Sequence, residues 1–291
     1  MNLMKPIPET ELVLNKNGSI YHLNLKPKHI AKNIIIVGDQ NRVKQISKYF
    51  DKIEYKLKNR EFITHTGYIG KKRLTVLSTG IGTDNIDIVM NELDALVNID
   101  LENRIEKIKK TSLNIIRLGT SGAIQKDIEI DSFLASSYGM GIDNLMHFYD
   151  NDSFDAELTN SFNDYTKWNK KLSKPYFYSG SKTLLKKFSD IKKGITVTSP
   201  GFYAPQGREV RLPLAIKNLE KKLENFSYKR MKICNYEMET SALYGLGKIL
   251  GHECLTVCAI IANRKLNKYS KDYIKTIENL ILLVLEKISN E

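Results

Sequence analysis

The chain has 291 residues, 42% of them hydrophobic, a formal charge of +12 and three cysteines. That length carries a sizeable core, and Cys234, Cys254 and Cys258 are an odd set without paired spacing, which argues against a disulfide framework and for a reducing, cytoplasmic setting. The lysines are spread along the chain, are not interleaved with aromatics and accompany no nucleic-acid module, so the charge reads as general lysine richness that can draw in a small anion.

Residues 1–18, with Pro6, Pro8 and mixed charge, have no apolar core of signal-peptide length, and no later run reaches membrane length. They are expected to form a flexible or surface segment of one domain spanning 1–291. Asn33 to Val37 is the first apolar β-like run. It leads into Gly38-Asp39-Gln40-Asn41-Arg42 and a helical segment from Val43. A glycine followed by a helix N-terminus favours an anion, with Arg42 about one turn away, although a capping Asp39 beside an incidental arginine accounts for the same residues. Arg73 to Leu77 forms the next strand and enters Ser78-Thr79-Gly80-Ile81-Gly82. Ile86, Val89, Met90, Leu93, Leu96 and Val97 then recur at helical spacing.

After a charged insertion at 99–112, the stretch from Asn114 to Ala123 reads as a buried central strand ending in a small-residue turn, Gly119-Thr120-Ser121-Gly122. Parallel sheets bind ligands beyond the carboxyl ends of their strands. A turn with two glycines brings backbone N–H groups close to an anion, and Arg117 adds a charged fork. Strand, glycine and arginine thus occur together twice. Asp131 to Ser137 and Gly194 to Thr198 are further strands, and the acidic, asparagine-rich piece at 149–164 is assigned to the surface.

The second of these strands opens onto a loop from Ser199 to Arg208, stiffened by two prolines. Phe202, Gln206 and Arg208 there suit a flat polar heterocycle, offering a ring, an amide that donates and accepts, and a cation for a carbonyl oxygen. Glu237-Met238-Glu239 lies at a strand-to-helix junction. A carboxylate in this place can accept two hydrogen bonds from a vicinal diol, while acids at a helix N-terminus also stabilise the helix. The second role suits Glu237 and the first Glu239. Leu255 to Ala262 is a last core strand ending in Asn263-Arg264. Ile274, Ile277, Ile281, Val284, Leu285 and Ile288 form one stripe of a terminal helix. The histidines are scattered without ligand spacing, so no metal site is expected.

Together these segments resemble the nucleoside phosphorylase superfamily and, within it, the uridine phosphorylase branch. The motifs are Tyr21-His22-Leu23, Gly38-Asp39-Gln40-Asn41-Arg42-Val43, Asn59-Arg60-Glu61-Phe62, Ser78-Thr79-Gly80-Ile81-Gly82, Arg117-Leu118-Gly119-Thr120-Ser121-Gly122 and Asn235-Tyr236-Glu237-Met238-Glu239. Gln206-Gly207-Arg208 is the narrower mark of pyrimidine recognition. The resemblance implies an α/β single domain with a central mixed, largely parallel sheet flanked by helices. It assigns phosphate to Gly38, Arg42, Arg117 and Thr120, with Arg60 reaching in from a neighbouring subunit. Ribose falls to Met238 and Glu239, with Glu237 nearby and the neighbour's His22 on the 5′-hydroxyl. The base falls to Phe202, Gln206 and Arg208, backed by Ile261 and Ala262. Arg42, Arg117, Gln206 and Arg208 form the implied catalytic set.

The implied reaction is phosphorolysis of uridine to uracil and ribose 1-phosphate in pyrimidine salvage, with deoxyuridine left open as a second substrate. Inorganic phosphate is the co-substrate. No metal or organic cofactor, nucleic acid or membrane is involved, and the protein self-associates as a dimer or trimer of dimers. Gln40 stands where relatives carry a proline, and Thr83-Asp84-Asn85 replaces glycine, proline and serine. A monovalent-cation site near Glu61, Ile81 and Asn85 is therefore left open. Purine-specific relatives carry an aspartate after the last core strand, where this chain has Asn263-Arg264. The alternatives are a purine nucleoside phosphorylase, a nucleosidase using water, and a non-catalytic nucleoside-binding regulator. The second does not need three arginines, and the third is expected to have lost part of them.

Overall fold

Four of the five residues in Asn33–Val37 (β1) are buried, as a strand covered on both faces requires. A computed structural model describes residues 5–289. β1 leads into Gln40–Ser47 (α1), which Asp39 caps by accepting the Asn41 N–H at 2.8 Å. Lys52–Asn59 (β2), Phe62–Ile69 (β3) and Lys72–Ser78 (β4) follow as an antiparallel run, and Thr83–Asn98 (α2) continues from it. Ile99–Asp100 (β5) and Ile105–Glu106 (β6) make a small separate ladder in the 99–112 insertion. Asn114–Ala123 (β7), Phe133–Gly141 (β8), Ala156–Thr166 (α3), Tyr176–Ser179 (β9) and Lys182–Lys187 (α4) come next. The chain then forms Lys192–Thr198 (β10), Leu219–Asn225 (α5), Ser227–Tyr228 (β11), Met231–Glu237 (β12) and Thr240–Leu250 (α6). Glu253–Asn263 (β13), Lys268–Tyr269 (β14) and Tyr273–Ser289 (α7) complete it.

The main sheet is mixed and runs β11-β12-β10-β8-β13-β7-β1-β4-β3-β2. Parallel pairs β4–β1, β1–β7, β7–β13, β8–β10 and β10–β12 make its spine. Antiparallel pairs lie at the β2–β3–β4 margin and where β13 meets β8. The end of β7 also pairs antiparallel with β12, through Asn235–Ala123 and Tyr236–Gly122, so this part of the sheet curls shut on itself.

That closure corrects the reading of Gly119–Gly122 as a turn. β13 follows β7 from Asn114 to Ala123, and β12 takes the other side of its end, so ladder hydrogen bonds satisfy the backbone where a turn would leave it open. Gly119 instead provides side-chain room: a Cβ there would lie 2.2 Å from Arg117 Nη1.

The 149–164 piece is corrected as well. Within it α3 begins, and its Leu158 and Phe162 are fully buried against Phe177 and Phe226, with ring centroids 5.5 and 5.0 Å apart. Its acids face outward while one stripe packs, which a count of charges along the segment hides. In α7 the residues Ile277, Ile281, Val284, Leu285 and Ile288 are buried, whereas Ile274 in the first turn is 62% exposed. β2 and β3 carry no apolar run long enough to announce them. β2 alternates exposed and half-buried residues, with lysines along the edge of the sheet.

Of the expected N-terminal segment 1–18, residues 1–4 lie outside the described residues. The remainder is tied to the 99–112 insertion by the Ile7 N–H on the Arg104 carbonyl, 2.7 Å, and to the residues that follow it by a bridge between Leu14 and Ile20. No helix among the described residues is long and apolar enough to cross a membrane.

Candidate active site

A cleft of about 820 Å³ opens over the carboxyl ends of β1, β4, β10 and β12. Gly38, Arg42, Arg117 and Thr120 line it, together with Phe202, Gln206, Arg208, Glu237, Met238, Glu239, Ile261 and Ala262. The topology explains the convergence: neighbouring parallel strands end at the same level, so the loops that follow them meet.

Arg117 occupies the floor. It is 5% exposed and held from two sides, by Glu237 Oε2 at 3.1 Å from Nη1 and by a short contact between Nη2 and Glu239 Oε2. Burial opposes its charge, but the two carboxylates outweigh burial and raise its pKa above the ordinary arginine value. Cys258 approaches Nη1 at 3.9 Å. Burial pushes the Cys258 thiol up to about 11, so it is neutral and brings no charge to the cluster. Arg42 donates to the Leu118 carbonyl at 3.2 Å. Burial lowers its pKa, and the Arg117 charge acts in the same direction against the pull of Asp39. The Nε–H groups of Arg42 and Arg117 are buried without a hydrogen-bond partner. Two desolvated guanidinium groups with unspent donors gain from a bound anion.

The two glutamates differ. Glu237 accepts the Thr198 hydroxyl at 2.6 Å, the Glu239 N–H at 3.0 Å, the Thr240 N–H at 3.0 and 3.1 Å, and Arg117. Those contacts fill the roughly four lone-pair positions of a carboxylate. Glu237 lines the cleft near the expected ribose position, but as the acid that fixes the start of α6. Glu239 uses one oxygen on the Gly82 N–H, at 2.8 Å, and the other on Arg117, which leaves each oxygen a lone pair for a ligand hydroxyl. Burial raises its pKa, against the pull of Arg117.

The 199–208 loop is built around Arg208. Its guanidinium stacks 3.8 Å from the centre of the Phe202 ring and donates to the Phe202 carbonyl at 2.6 Å and to Gln206 Oε1 at 2.5 Å. Occupying the Gln206 oxygen leaves its NH₂ as the group free to meet a ligand carbonyl. Gly207 has φ +71°, the left-handed conformation that ends the short turn Ala204–Gln206. Burial and the neighbouring Arg264 lower the Arg208 pKa.

Sequence reasoning named Arg264 without giving it a role. Its guanidinium bonds the carbonyls of Gln206 and Gly207 and pairs with Glu220 at 2.7 Å, so it clamps the loop to α5. Its place at the end of the last core strand was the available signal. Tyr236, Tyr269 and Ser121 also line the cleft. Tyr236 stood inside a quoted motif, whereas nothing in the local pattern marked Tyr269.

Arg60 and His22 are not among the residues lining their own chain's cleft. Instead they share a patch of surface. Arg60, at φ +52° in the β2–β3 turn, lies 5.5 Å from the Tyr21 ring centre, and the Asn59 side chain donates to the His22 carbonyl at 2.7 Å. Glu92 accepts the backbone N–H groups of His22 and Leu23 and contacts His22 Nδ1 at 2.6 Å, which leaves Nε2 pointing away from the carboxylate. Of the residues named for a monovalent-cation site, Asn85 donates its side-chain amide to the Ile81 carbonyl at 3.3 Å.

Comparison with known proteins adds to this geometry. The family model described as the phosphorylase superfamily matches residues 32–286. A uridine phosphorylase of Thermococcus kodakarensis is 29% identical over 271 residues, covering 91% of this chain and 83% of the relative. A DeoD-type purine nucleoside phosphorylase of Bacillus cereus is 27% identical over 240 residues, covering 82% and 85%. A crystal structure of a Trypanosoma brucei nucleoside phosphorylase, described as showing uridine phosphorylase activity, superposes with a TM-score of 0.86 at 26% identity and covers 96% of this chain and all of that one.

Proposed function

Because this chain belongs to the phosphorylase superfamily, we infer that its cleft cleaves the glycosidic bond of uridine with inorganic phosphate, giving uracil and ribose 1-phosphate. The observation that carries the choice of base is the Phe202–Gln206–Arg208 unit in the same cleft as Arg42 and Arg117. A relative named for uridine and a neighbour described by uridine phosphorylase activity support it. Breaking the bond develops positive charge on the sugar and negative charge on the departing base. Arg208 and the Gln206 NH₂ meet that negative charge at a base carbonyl, so no strong general acid is needed. Phosphate held by Arg42, Arg117, Thr120 and the Gly38 backbone steadies the cationic sugar and attacks C1′. Glu239 grips the ribose hydroxyls and Met238 packs against the sugar, while Ile261 and Ala262 back the base.

A purine ring is disfavoured at the residue where an acid would serve it. Asn263 is fully buried and turned into the fold, its amide donating to the carbonyls of Gln125 and Ile128 at 2.9 and 2.6 Å. Free base should accordingly be released from uridine much faster than from inosine or adenosine, and only when phosphate is present. Measuring all three side by side decides the matter: faster inosine cleavage reassigns the base, and release without phosphate makes the protein a nucleosidase.

Glu239→Gln tests the sugar assignment. It should lower kcat/KM for uridine about tenfold more than for 2′-deoxyuridine, because the deoxy sugar has already lost one charged hydrogen bond. Equal losses on both sugars would mean that Glu239 serves only to hold Arg117.

The active unit in this reading is an oligomer, at least a dimer, in which Arg60 and His22 enter the partner's site. Charge supports it. Within one chain the positive charges of Arg42 and Arg117 are matched by Glu237 and Glu239, so a phosphate dianion needs a further cation. Three buried free cysteines support a reducing cytoplasm as its setting.

A further inference from the structure

Behind Arg117 lies a line of polar groups that a ligand in the cleft does not reach. Thr198, the last residue of β10, is fully buried and stands opposite Glu237 in the parallel register of β10 and β12. Its hydroxyl donates to Glu237 Oε1 at 2.6 Å and accepts the Ser241 N–H at 2.8 Å. Ser241 Oγ donates to Asp143 Oδ2 at 3.0 Å, and the Tyr176 hydroxyl donates to Asp143 Oδ1 at 2.6 Å. On the cleft side, Glu237 Oε2 holds Arg117 Nη1 at 3.1 Å.

We propose that Thr198 is a positioning residue for anion binding, acting through Glu237 on Arg117. This rests on the reading of the cleft as a phosphate site and assigns a role to a residue outside it. The chemistry is directional. Because the Ser241 N–H occupies an acceptor side of the hydroxyl, the single hydroxyl proton is committed to Glu237. The backbone N–H groups of Glu239 and Thr240 reach Glu237 from the start of α6, whereas Thr198 reaches it from the neighbouring strand. Donors from two directions set the plane of the carboxylate. That plane in turn sets the guanidinium, since Arg–carboxylate pairing is planar and loses strength when the fork is turned. Without the hydroxyl, Glu237 is free to tilt, Arg117 is drawn toward Glu239, and its remaining donors no longer face the anion.

Thr198→Val keeps the side-chain shape and removes the hydroxyl. The dissociation constant of inorganic phosphate for the intact protein, measured by calorimetry, should rise about tenfold or more, the effect of losing one hydrogen bond to a charged group. The KM for phosphate should rise with it, while the KM for uridine changes little. Thr198→Ser, which restores the hydroxyl without the methyl, should recover most of the binding. If Thr198→Val gives no cooperative melt, Thr198→Cys, which offers only a weak S–H donor in a similar volume, takes its place and should bind phosphate clearly less tightly than Thr198→Ser; equal binding by the two overturns the proposal. Wild-type phosphate binding in folded Thr198→Val overturns the proposal. So does Thr198→Ser as defective as Thr198→Val, because that would make the methyl packing the cause. A wild-type protein that binds phosphate but cleaves no nucleoside refutes the proposed reaction and leaves this comparison valid. One that binds no phosphate refutes both.

Discussion

Replacing Arg208 with alanine is expected to lower turnover of uridine by about 10²–10³, the usual cost of losing one donor to a developing oxyanion. Phosphate affinity should be almost unchanged, because Arg42 and Arg117, the arginines proposed to hold the anion, lie on α1 and β7, away from the base loop. Arg208 is also the partner of Gln206 Oε1 and the cation on the Phe202 ring. Its loss therefore frees the Gln206 amide to turn, and adds disorder to lost charge. Arg208→Lys restores the charge but not the planar fork, so it should recover only part of the rate. Steady-state kinetics varying each substrate in turn provide the check. Wild-type turnover in Arg208→Ala would remove the base assignment.

The second large effect is a return of activity from two inactive proteins. Arg60→Ala and Arg117→Ala should each be nearly inactive alone. Mixed under conditions that exchange subunits, they should form dimers in which one site carries both changes and the other carries neither, since a two-fold interface exchanges the same residues in both directions. With equal amounts and free exchange, about a quarter of all sites are then intact. The structure gives this test its basis: Arg60 lies beside Tyr21 and His22 on the surface, outside the group lining its own cleft. If exchange is demonstrated and activity does not return, Arg60 acts within its own chain.

The legible parts of the fold were those whose signal is local. β1 has the bounds its apolar run predicts, while β4 and β13 extend one or two residues beyond theirs at each end. Asp39 caps α1, as an aspartate ahead of a helix does, and this coexists with Arg42 facing the cleft. β2 was not legible because an edge strand with alternating lysines offers no buried run. α3 was missed because its packed stripe is diluted by surface acids and asparagines.

Within the site, local pattern supplies the chemical groups: two arginines within four residues of a glycine, an amide and guanidinium two residues apart, and two acids at a strand-to-helix junction. Tertiary structure alone decided what each group does. Arg117 and Glu239 are 122 positions apart, and they meet only because the sheet curls until the end of β7 pairs with β12. The same register sets Thr198 against Glu237 and spends that carboxylate on the fold, while Glu239, two residues later, keeps free lone pairs over the cleft. Propensity and periodicity act over a few residues, so they fix what a segment becomes. The pairing of buried charges depends on strand order and register, which are settled only when the whole sheet closes.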